Sequence, residues 1–410
     1  MRVSLSQDFP THMQAPLQGI RVIDFGRFIA GPYCGMLLAD MGADVIRVDR
    51  RQGSEDRYTG PVTAPKNGAG EGGGFLSLNR NKRSLTLDTS KPESAEIIRR
   101  LVKTADVVVA NLPVAVMKKM RLDYDSLRAT KPDIILARVS AFGPDGPYAN
   151  RVGFDSIAQA MSGAMALTGF AGAPVKDIVS FCDYGTALHT AFGVAMALLH
   201  RERTGEGQIV DGALLATAVT FMQALLAERS VKGIEREQQG NAGFYSAPAD
   251  TYPTKDGWIV VQTIGGDMFA RWARMVGREE LIGDARFDDD LSRADNRETI
   301  TNAMSAWMAA RTTAEAIAEM EAARVPAGPV YSLDQVLDDP QVKARELLQY
   351  VEYPDAPKPV PLANTAVRLS ATPGGIRHRA PMLGEHTDEV LGEIGYSAAE
   401  IAGLRAAEAV

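Results

Sequence analysis

Short β-rich runs alternate with helical patterns from residue 19 onwards, and this alternation restricts the possible folds more than any other feature of the sequence. The runs with the composition of buried strands are IRVIDF (20–25), DVIRVD (44–49), SLTLD (84–88), DVVVAN (106–111) and DIILARVS (133–140). Helical patterns lie between them, at 31–42 and 92–105. Strands that alternate with helices at this spacing form a mostly parallel sheet with helices on both faces. The expected fold class is therefore α/β.

The second half of the chain continues this alternation and then changes in composition. Helical segments are predicted at 154–167, 184–203 and 213–230, with a short strand, GQIVDGA, before the last. A stretch rich in Gly, Gln, Glu and Asn at 232–248 indicates the crossing into a second unit. The elements predicted beyond it are a strand at 257–263, helices around 266–276, 292–310, 312–323 and 332–346, short strands within 348–369, and a polar helical tail. Because 410 residues exceed the size at which a single core stops growing, two domains are expected.

Composition excludes several classes of function. The net charge of −7 argues against a nucleic-acid partner, whose binding site would be basic. Two cysteines, Cys34 and Cys182, cannot form a disulfide framework or a zinc ribbon, and the five histidines show no HExxH spacing, so no metal site is expected. The N-terminal residues lack the apolar region of a signal peptide, and no apolar run reaches the roughly 18–20 residues of a membrane span. The expectation is a cytoplasmic protein with no membrane partner.

Two patterns near the second and third strands leave a choice of interpretation. GAGEGG (68–73) satisfies G-x-G-x-x-G, but a dinucleotide-binding fingerprint follows a strand and opens a helix, whereas here a strand-like run (75–88) follows. We interpret it as a mobile loop that could act as a lid. The basic clusters at 47–57 and NRNKRS (79–84) are either a salt-bridged surface or, because they lie at strand ends, a site for a polyphosphate ligand.

Asp183 directly precedes a long helical pattern that is apolar on nearly all sides and is therefore expected to be buried. Aspartate is a preferred N-cap residue, because its oxygen accepts the unpaired N–H groups of the first turn, so Asp183 is predicted to cap this helix. The alternative is a functional carboxylate held at the positive end of a buried helix, where backbone N–H groups could also stabilise an oxyanion.

Seven stretches, taken in order, carry a resemblance to a known family. They are 19–50, NRNKRSLTLD (79–88), ADVVVANL (105–112), GFDSIAQAMSGAMALTG (153–169), 183–211, VPAGPVYSLDQVLDDPQV (325–342) and PMLGEHTDEVLGEIGY (381–396). Together they cover nearly the whole chain and resemble the class III CoA-transferases, the group that includes formyl-CoA transferases, carnitine CoA-transferases and α-methylacyl-CoA racemases. On this resemblance the chain is identified as a member of that family.

The resemblance implies a fold and an assembly. The family has a large Rossmann-like domain with a mostly parallel sheet and a smaller α+β domain, and two chains interlock as a homodimer. Carried over here, residues 1–225 form the first part of the large CoA-binding domain, 226–325 the small domain, and 326–410 a C-terminal segment that returns to the large domain.

The resemblance also changes the interpretation of Asp183. In the family's transferases an aspartate that opens a helix is the nucleophile, and that position falls on Asp183, which is followed by Gly185 and the helix. A carboxylate with an ordinary pKa of about 3.9 is ionised at neutral pH and needs no general base. The implied reaction moves CoA from an acyl-CoA donor to a carboxylic acid acceptor through an aspartyl-CoA thioester. Coenzyme A is then a substrate, and no permanently bound cofactor is implied.

Contacts with CoA are implied position by position. Phe28 and Ala30 match residues along the pantetheine and adenine path, and Arg50 matches a phosphate-binding arginine. Leu87 and Asn111 match residues around the adenosine, and Met120 matches an adenine contact. Lys119 and Phe154 are further CoA-binding positions. Lys119 replaces the family's usual arginine and can contact phosphate only as a point charge.

The substrate pocket is implied by the same comparison. QGNAG (239–243) matches a glycine loop of the second domain, which places Gly240, Asn241 and Gly243 at the substrate. Ile29 stands where formyl-CoA transferases have a glutamine, which argues against formate or oxalate and for a small dicarboxylate or branched acid.

The racemases of the family provide the alternative function. They carry a catalytic histidine where this chain has Phe154, and proton transfer at an α-carbon needs two acid–base groups. An acyl-CoA racemase or isomerase therefore stands as the alternative enzyme. The non-enzymatic hypothesis is a CoA-binding relative that has lost activity, and the presence of Asp183 argues against it.

Overall fold

The computed structural model describes residues 15–64 and 70–410, which divide into two compact units. The first unit holds the described residues up to 164 together with 177–232 and 343–410, and the second holds 165–176 and 233–342. The domain boundaries implied by the resemblance, at 225/226 and 325/326, stay a prediction.

A six-stranded parallel sheet is the centre of the first unit. Its strands are β1 (Arg21–Asp24), β2 (Asp44–Asp49), β3 (Lys82–Thr86), β4 (Val107–Ala110), β5 (Ile135–Ser140) and β6 (Ile209–Ala213). The spatial order is β3-β2-β1-β4-β5-β6, with all five neighbouring pairs parallel. Ile23 lies opposite Ile46 on one side and Val108 on the other, so apolar side chains form continuous rows across the sheet. The predicted α/β class is confirmed.

Helices connect these strands. They are α1 (Ala30–Asp40), α2 (Gly73–Leu78), α3 (Glu93–Thr104), α4 (Val114–Lys119), α5 (Tyr124–Thr130), α6 (Asp155–Met161), α7 (Ala164–Leu167), α8 (Phe181–Thr204), α9 (Leu214–Phe221) and α10 (Gln223–Lys232). Helix α3 shows why they form: Ile97, Ile98 and Leu101 recur at helical spacing and are buried against the sheet, while its charged residues face outward.

A three-stranded antiparallel sheet and several helices make up the second unit. The strands are β7 (Ala249–Pro253), β8 (Trp258–Gln262) and β9 (Ala327–Pro329), in the order β7-β8-β9. The helices are α11 (Gly266–Met275), α12 (Asp290–Asp295), α13 (Arg297–Ala309), α14 (Thr313–Ala322), α15 (Leu333–Asp338) and α16 (Pro340–Ala344), the last reaching into the first unit. Trp272, Ile300 and Met304 are fully buried at the centre of its core.

The C-terminal part of the chain packs on the first unit. It forms a hairpin of β10 (Leu348–Val351) and β11 (Val360–Ala363), followed by α17 (Thr387–Glu393) and α18 (Ala398–Ala406). Val390 and Leu391 of α17 are fully buried in the same core as Ile97 of α3.

Several predicted elements differ from the observed ones. Residues 75–78, predicted as the beginning of a strand-like run, belong to the helix α2, because Phe75 and Leu76 are buried on one face of that turn. The long helix predicted at 213–230 is two helices, α9 and α10, bent by 64° at Met222. The strands β7 and β9 were missed, since each is short and contains or adjoins proline.

No single helix within residues 15–64 and 70–410 has the length and hydrophobicity to cross a membrane. Helices α9 and α10 meet the criteria of length and composition only when taken together across their bend. The cytoplasmic location stays a prediction.

Candidate active site

The order of the strands reverses between β1 and β4, and the segments that follow these two strands line the crevice at that point. Ligands of open α/β sheets bind in this crevice, outside the carboxyl ends of the strands. Asn111, directly after β4, accepts a hydrogen bond from the backbone N–H of Arg27 at 2.8 Å and donates one to the Arg27 carbonyl at 2.7 Å. Asn111 therefore fixes the β1–α1 turn to the end of β4.

The β1–α1 turn is tightly packed and carries three of the predicted site residues. A Cβ atom on Gly26 would lie 2.6 Å from Asp24 Oδ1, so only glycine fits there. Phe28 has a φ of +61°, a strained conformation for a residue with a side chain, and its N–H donates to Asp56 Oδ2 at 3.2 Å. Ile29 is half-buried, and Ala30, the first residue of α1, is buried.

Two exposed aromatic rings meet beside this turn. Phe28 is 43% exposed and Phe154, just before α6, is 60% exposed. Their ring centroids are 5.5 Å apart in an edge-to-face arrangement, which is a favourable geometry for aromatic pairs. The structure thus brings together two residues that the resemblance assigned to CoA from distant parts of the sequence.

In the basic clusters at 47–57 and 79–84, several cations form buried ion pairs beneath the turn, whereas Arg50 is exposed. The interpretation as a salt-bridged surface is therefore wrong for the buried cations, and the polyphosphate interpretation remains only for the exposed one. Arg47 donates to Asp49 and Asp56, each at 2.8 Å, and Arg57 donates to Asp49 at 2.8 Å. Lys82 donates to Asp24 at 2.7 Å. These side chains are buried and already paired with carboxylates, so they cannot contact a polyphosphate.

The start of α8 differs from the prediction. The helix begins at Phe181, so Asp183 is its third residue and not its cap, and the N-cap residue, Ser180, makes no side-chain capping bond. The missing cap is supplied by Asp155 of α6, whose Oδ1 accepts from the N–H of Cys182 at 2.8 Å and of Asp183 at 3.3 Å. Because both amides are occupied, they do not offer the oxyanion site expected at this helix start.

Asp183 is in an unusual electrostatic environment. Its side chain is half-buried, and no hydrogen bond from the described residues of the first unit reaches its carboxylate. Burial and the negative charge of Asp155 raise the pKa of Asp183 to about 7, far above the ordinary value assumed from the sequence. Burial, together with Asp155, also raises the pKa of the neighbouring Cys182 to about 12, so this thiol is protonated. Of the two side chains, Asp183 is therefore the one that ionises near neutral pH.

One face of α8 is exposed, contrary to the expectation of a helix buried on all sides. Leu188, Phe192, Met196 and Leu199 form an exposed stripe, and Phe192 is 67% exposed. The opposite face, with Ala187, Thr190, Val194 and Ala197, is buried.

The remaining predicted CoA residues of the first unit lie at other positions around the sheet. Arg50 follows β2 and is exposed, with a 3.4 Å ion pair to Glu55. Leu87 follows β3, but its side chain is buried in the core, so only its backbone can reach a ligand. Lys119 is exposed at the end of α4, and Met120 is partly buried against the core. The structure does not cluster these four residues with Phe28 and Phe154 through any direct contact.

The glycine segment 239–243 lies in the second unit. Gly240 has a φ of +68° and packs against Phe170, where a Cβ atom would come within 2.4 Å of the ring. Asn241 donates to Thr251 Oγ1 at 2.8 Å, and the N–H of Gly243 donates to the Ala249 carbonyl at 2.7 Å. These bonds tie the segment to β7.

Two further expectations concern metals and the lid. Within residues 15–64 and 70–410, no cluster of His, Cys, Asp and Glu side chains has the geometry of a metal site. Of the string 68–73, residues 68 and 69 lie outside the described residues. Gly73 begins α2.

Sequence reasoning missed Asp155 and Gln159. Gln159 donates to Asp155 Oδ2 at 2.6 Å, and both side chains are buried. The available signal was the GFD sequence at the start of the predicted helix 154–167. It shows an aspartate that could cap a helix, but not that the helix it caps is α8.

Comparisons with known proteins agree with this structure. Residues 17–387 match the profile of CoA-transferase family III. The chain is 35% identical to succinyl-CoA–D-citramalate CoA-transferase of Chloroflexus aurantiacus, over 95% of this chain and 97% of that protein. It is 37% identical to succinyl-CoA:mesaconate CoA-transferase of Haloarcula hispanica, over 92% of this chain and 96% of that protein.

A solved structure supports the same assignment. A CaiB/BaiF family protein from Brucella suis is 34% identical and superposes with a TM-score of 0.82, covering 93% of this chain and all of that one. The chain therefore belongs to CoA-transferase family III and is a transferase.

Proposed function

We propose that the protein transfers CoA between carboxylic acids through a covalent aspartyl-CoA thioester on Asp183. The observation that carries this proposal is the Asp183 carboxylate, which is desolvated and free of hydrogen bonds within the first unit. The N–H of Asp183 donates to Asp155, and the adjacent Phe154 contacts Phe28 in the β1–α1 turn. These contacts connect Asp183 to the crevice between β1 and β4.

The reaction runs in four steps. The Asp183 carboxylate attacks the donor's thioester carbonyl and expels CoA thiolate, which leaves a mixed anhydride. The thiolate attacks the Asp183 carbonyl of that anhydride, so the donor acid leaves and aspartyl-CoA forms. The acceptor carboxylate attacks aspartyl-CoA to give a second anhydride and thiolate, and the thiolate attacks the acceptor carbonyl, which regenerates Asp183. A carboxylate is a weak nucleophile, so orientation at the site has to supply much of the acceleration.

The amides of Cys182 and Asp183 are occupied by Asp155, so they do not supply donors for the tetrahedral oxyanions. The family resemblance assigns substrate contacts to the glycine segment 239–243, and we propose Gly240, Asn241 and Gly243 for that role on the resemblance alone.

CoA binding is assigned to the first unit. The exposed Phe28–Phe154 pair offers an apolar surface for the pantetheine arm, beside Ala30 and Asn111. Arg50 and Lys119 are exposed cations that can meet phosphate groups. Leu87 and Met120 complete the adenosine site, with Leu87 contributing its backbone.

A dicarboxylic acid is the substrate class that the relatives favour. Two of them are named for succinyl-CoA as donor and for citramalate or mesaconate as acceptor. The half-buried Ile29 at the β1–α1 turn offers methyl groups where a glutamine would offer an amide. We propose succinyl-CoA as the donor and a small, branched dicarboxylate as the acceptor.

A homodimer is the proposed assembly. The stripe of Leu188, Phe192, Met196 and Leu199 presents contiguous apolar side chains on one face of α8, a feature of protein interfaces. A second copy of the chain, as the resemblance implies, would cover this stripe. Phe192→Glu is expected to convert a dimer to a monomer in sedimentation velocity; a wild-type monomer would contradict the assembly.

The function is tested with succinyl-CoA and a panel of acids, with product CoA esters separated by chromatography. We expect transfer to C4–C5 dicarboxylates and at least tenfold less to formate or oxalate. Incubation of the product ester in deuterated water tests the racemase alternative. Exchange of its α-proton without CoA transfer would replace the transferase by that alternative, against which Phe154 argues because it cannot accept a proton.

A further inference from the structure

A buried carboxylate–amide pair holds the start of α8 from outside that helix. Asp155 Oδ1 accepts from the N–H groups of Cys182 and Asp183, while its Oδ2 accepts from the Gln159 side chain at 2.6 Å. The Gln159 carbonyl in turn accepts from the N–H of Asp177 at 2.9 Å, in the segment that leads into α8. Asp155 and Gln159 are 7% and 1% exposed, so solvent does not compete for these bonds.

This arrangement bears on Asp183 because that residue lies in the first turn of α8, as its third residue. An aspartate in the first turn of a helix can fold its side chain back to accept its own or a neighbouring backbone N–H. The amides of the second and third residues are the ones that an N-cap side chain normally satisfies. Here Ser180 makes no such bond, and Asp155 takes that role from α6.

We propose that Asp155 is a positioning residue for CoA transfer, because it occupies the first-turn amides of α8 and so leaves the Asp183 carboxylate free to attack the thioester. This inference rests on the proposed function of Asp183. Gln159 orients Asp155 and fixes the segment at 177–179 to the same point.

Asp155 also acts on Asp183 through its charge. The described titratable groups around Asp183 are Asp155 from α6, Cys182 and Tyr184 on α8, and Tyr33 from α1, which contacts the Tyr184 ring at 5.0 Å. Burial raises the pKa of Tyr184, as it does that of Cys182, so both stay neutral near pH 7. Asp155 is therefore the charged group that sets the pH at which Asp183 ionises.

Two substitutions separate the hydrogen bonds of Asp155 from its charge. Asp155→Ala removes both. Asp155→Asn keeps an oxygen for the two amides but removes the charge, and its amide group then faces the Gln159 amide, which has to turn over to accept from it. The matched control is Asp289→Ala, which removes an aspartate that caps α12 in the second unit by accepting from Ser292 N–H at 2.8 Å.

The measurement is the rate of aspartyl-CoA formation in a single turnover with succinyl-CoA, from pH 5 to pH 9. Wild-type and Asp289→Ala proteins should show a rate that rises with pH to a midpoint near 7, the pKa of the nucleophile. Asp155→Ala should lower the plateau about 100-fold, the loss expected when a reacting group is misplaced by about 1 Å. Asp155→Asn should keep the plateau within about tenfold and move the midpoint to lower pH.

The outcomes that overturn the inference are distinct. A plateau and midpoint in Asp155→Ala that match wild type would show that Asp155 does not position the nucleophile. Equal losses of the plateau rate in both variants, with the pH midpoint unchanged, would show that Asp155 only stabilises the fold. If wild-type protein forms no adduct on Asp183, the proposed function fails, and this inference fails with it.

Discussion

Buried carboxylates occur in two regions of the first unit, and their surroundings are opposite. Beneath the β1–α1 turn, Asp49 accepts from Arg47, Arg57 and Ser84, and although burial alone would raise its pKa, the two arginines hold it well below the usual range. At the start of α8, Asp183 faces Asp155 with no cation among the groups that shift its pKa, and that pKa is raised to about 7.

This difference suggests different roles: Asp49 supports the structure, and Asp183 is the reactive group that we propose. A carboxylate that is fully paired with arginines is stabilised as an anion, and its lone pairs are engaged. A carboxylate that faces a second carboxylate is costly to ionise, and its lone pairs are free once it does. The first arrangement stabilises the β1–α1 turn, and the second suits the nucleophile that we propose. Such a departure from ordinary pKa values is characteristic of functional sites.

The largest expected effect is on chemistry at Asp183. Asp183→Ala removes the nucleophile and should lower kcat at least about 1,000-fold, as loss of a covalent nucleophile does elsewhere. Steady-state CoA transfer measures this effect. Glu202→Gln, at the other end of α8, is the matched control and should retain wild-type kcat. An Asp183→Ala protein with more than a tenth of wild-type kcat would show that Asp183 is not the nucleophile, and the two regions would then not differ in role.

The next largest effect is on stability, in the paired region. Arg57→Ala leaves Glu71 without its ion-pair partner and removes one of the two arginines paired with the buried Asp49. It also removes the guanidinium stacked 3.9 Å from the Phe75 ring centroid. The free energy of unfolding should fall by about 3–5 kcal/mol, measured by urea denaturation.

Arg99→Ala provides the comparison for that stability measurement. Arg99 pairs with Glu96 on the exposed face of α3, and its loss should leave the free energy of unfolding nearly unchanged. Equal losses for Arg57→Ala and Arg99→Ala would show that the buried network does not hold the turn.

A smaller effect is expected where the turn meets the crevice. Asn111→Ala removes two hydrogen bonds to the Arg27 backbone and should raise KM for succinyl-CoA about tenfold, at about 0.7 kcal/mol for each bond. The unfolding midpoint is measured alongside KM. Asn296→Ala, which removes amide bonds to backbone carbonyls in the second unit, should leave KM unchanged. An Asn111→Ala protein with wild-type KM would show that the β1–α1 turn does not contribute to CoA binding.

The smallest expected effect is a pH-dependent gain of stability. The pKa of Asp183 in the folded protein lies above its ordinary value, so the folded state binds this proton more tightly than the unfolded state. Its contribution to stability is complete below about pH 4 and is lost as the pH rises through about 7. Asp183→Asn should therefore stabilise the protein by roughly 1–2 kcal/mol at pH 8 and by less at pH 5. Urea denaturation at the two pH values measures it; a loss of stability at pH 8 would contradict the raised pKa.

Much of the fold followed from the sequence because its signals are local. DVIRVD formed the strand β2 with the predicted bounds, and the apolar run of β4 was equally clear. The short strand β9 was missed, since three residues, Ala-Gly-Pro, carry no alternating pattern. The break between α9 and α10 was missed because the residues on both sides are good helix formers.

The candidate site was less predictable because its decisive contacts are not local. The capping preference of aspartate placed Asp183 at the helix start, and the structure moves it to the third position because Asp155, 28 residues earlier, supplies the cap. Arginine-rich segments gave no sign that Arg47 and Arg57 are buried, since burial depends on partners such as Asp49 that only the folded sheet brings into place. The assignment of Asp183 as nucleophile came from the family resemblance and stays a proposal.

The most direct test of the central claim is to locate CoA on the protein during turnover. Wild-type protein is incubated with succinyl-CoA, treated with hydroxylamine and digested, and the peptides are identified by mass spectrometry. The account predicts a hydroxamate on Asp183 in the wild type and none in Asp183→Asn. A modified residue other than Asp183, or continued CoA transfer with Asp183 unmodified, would contradict it.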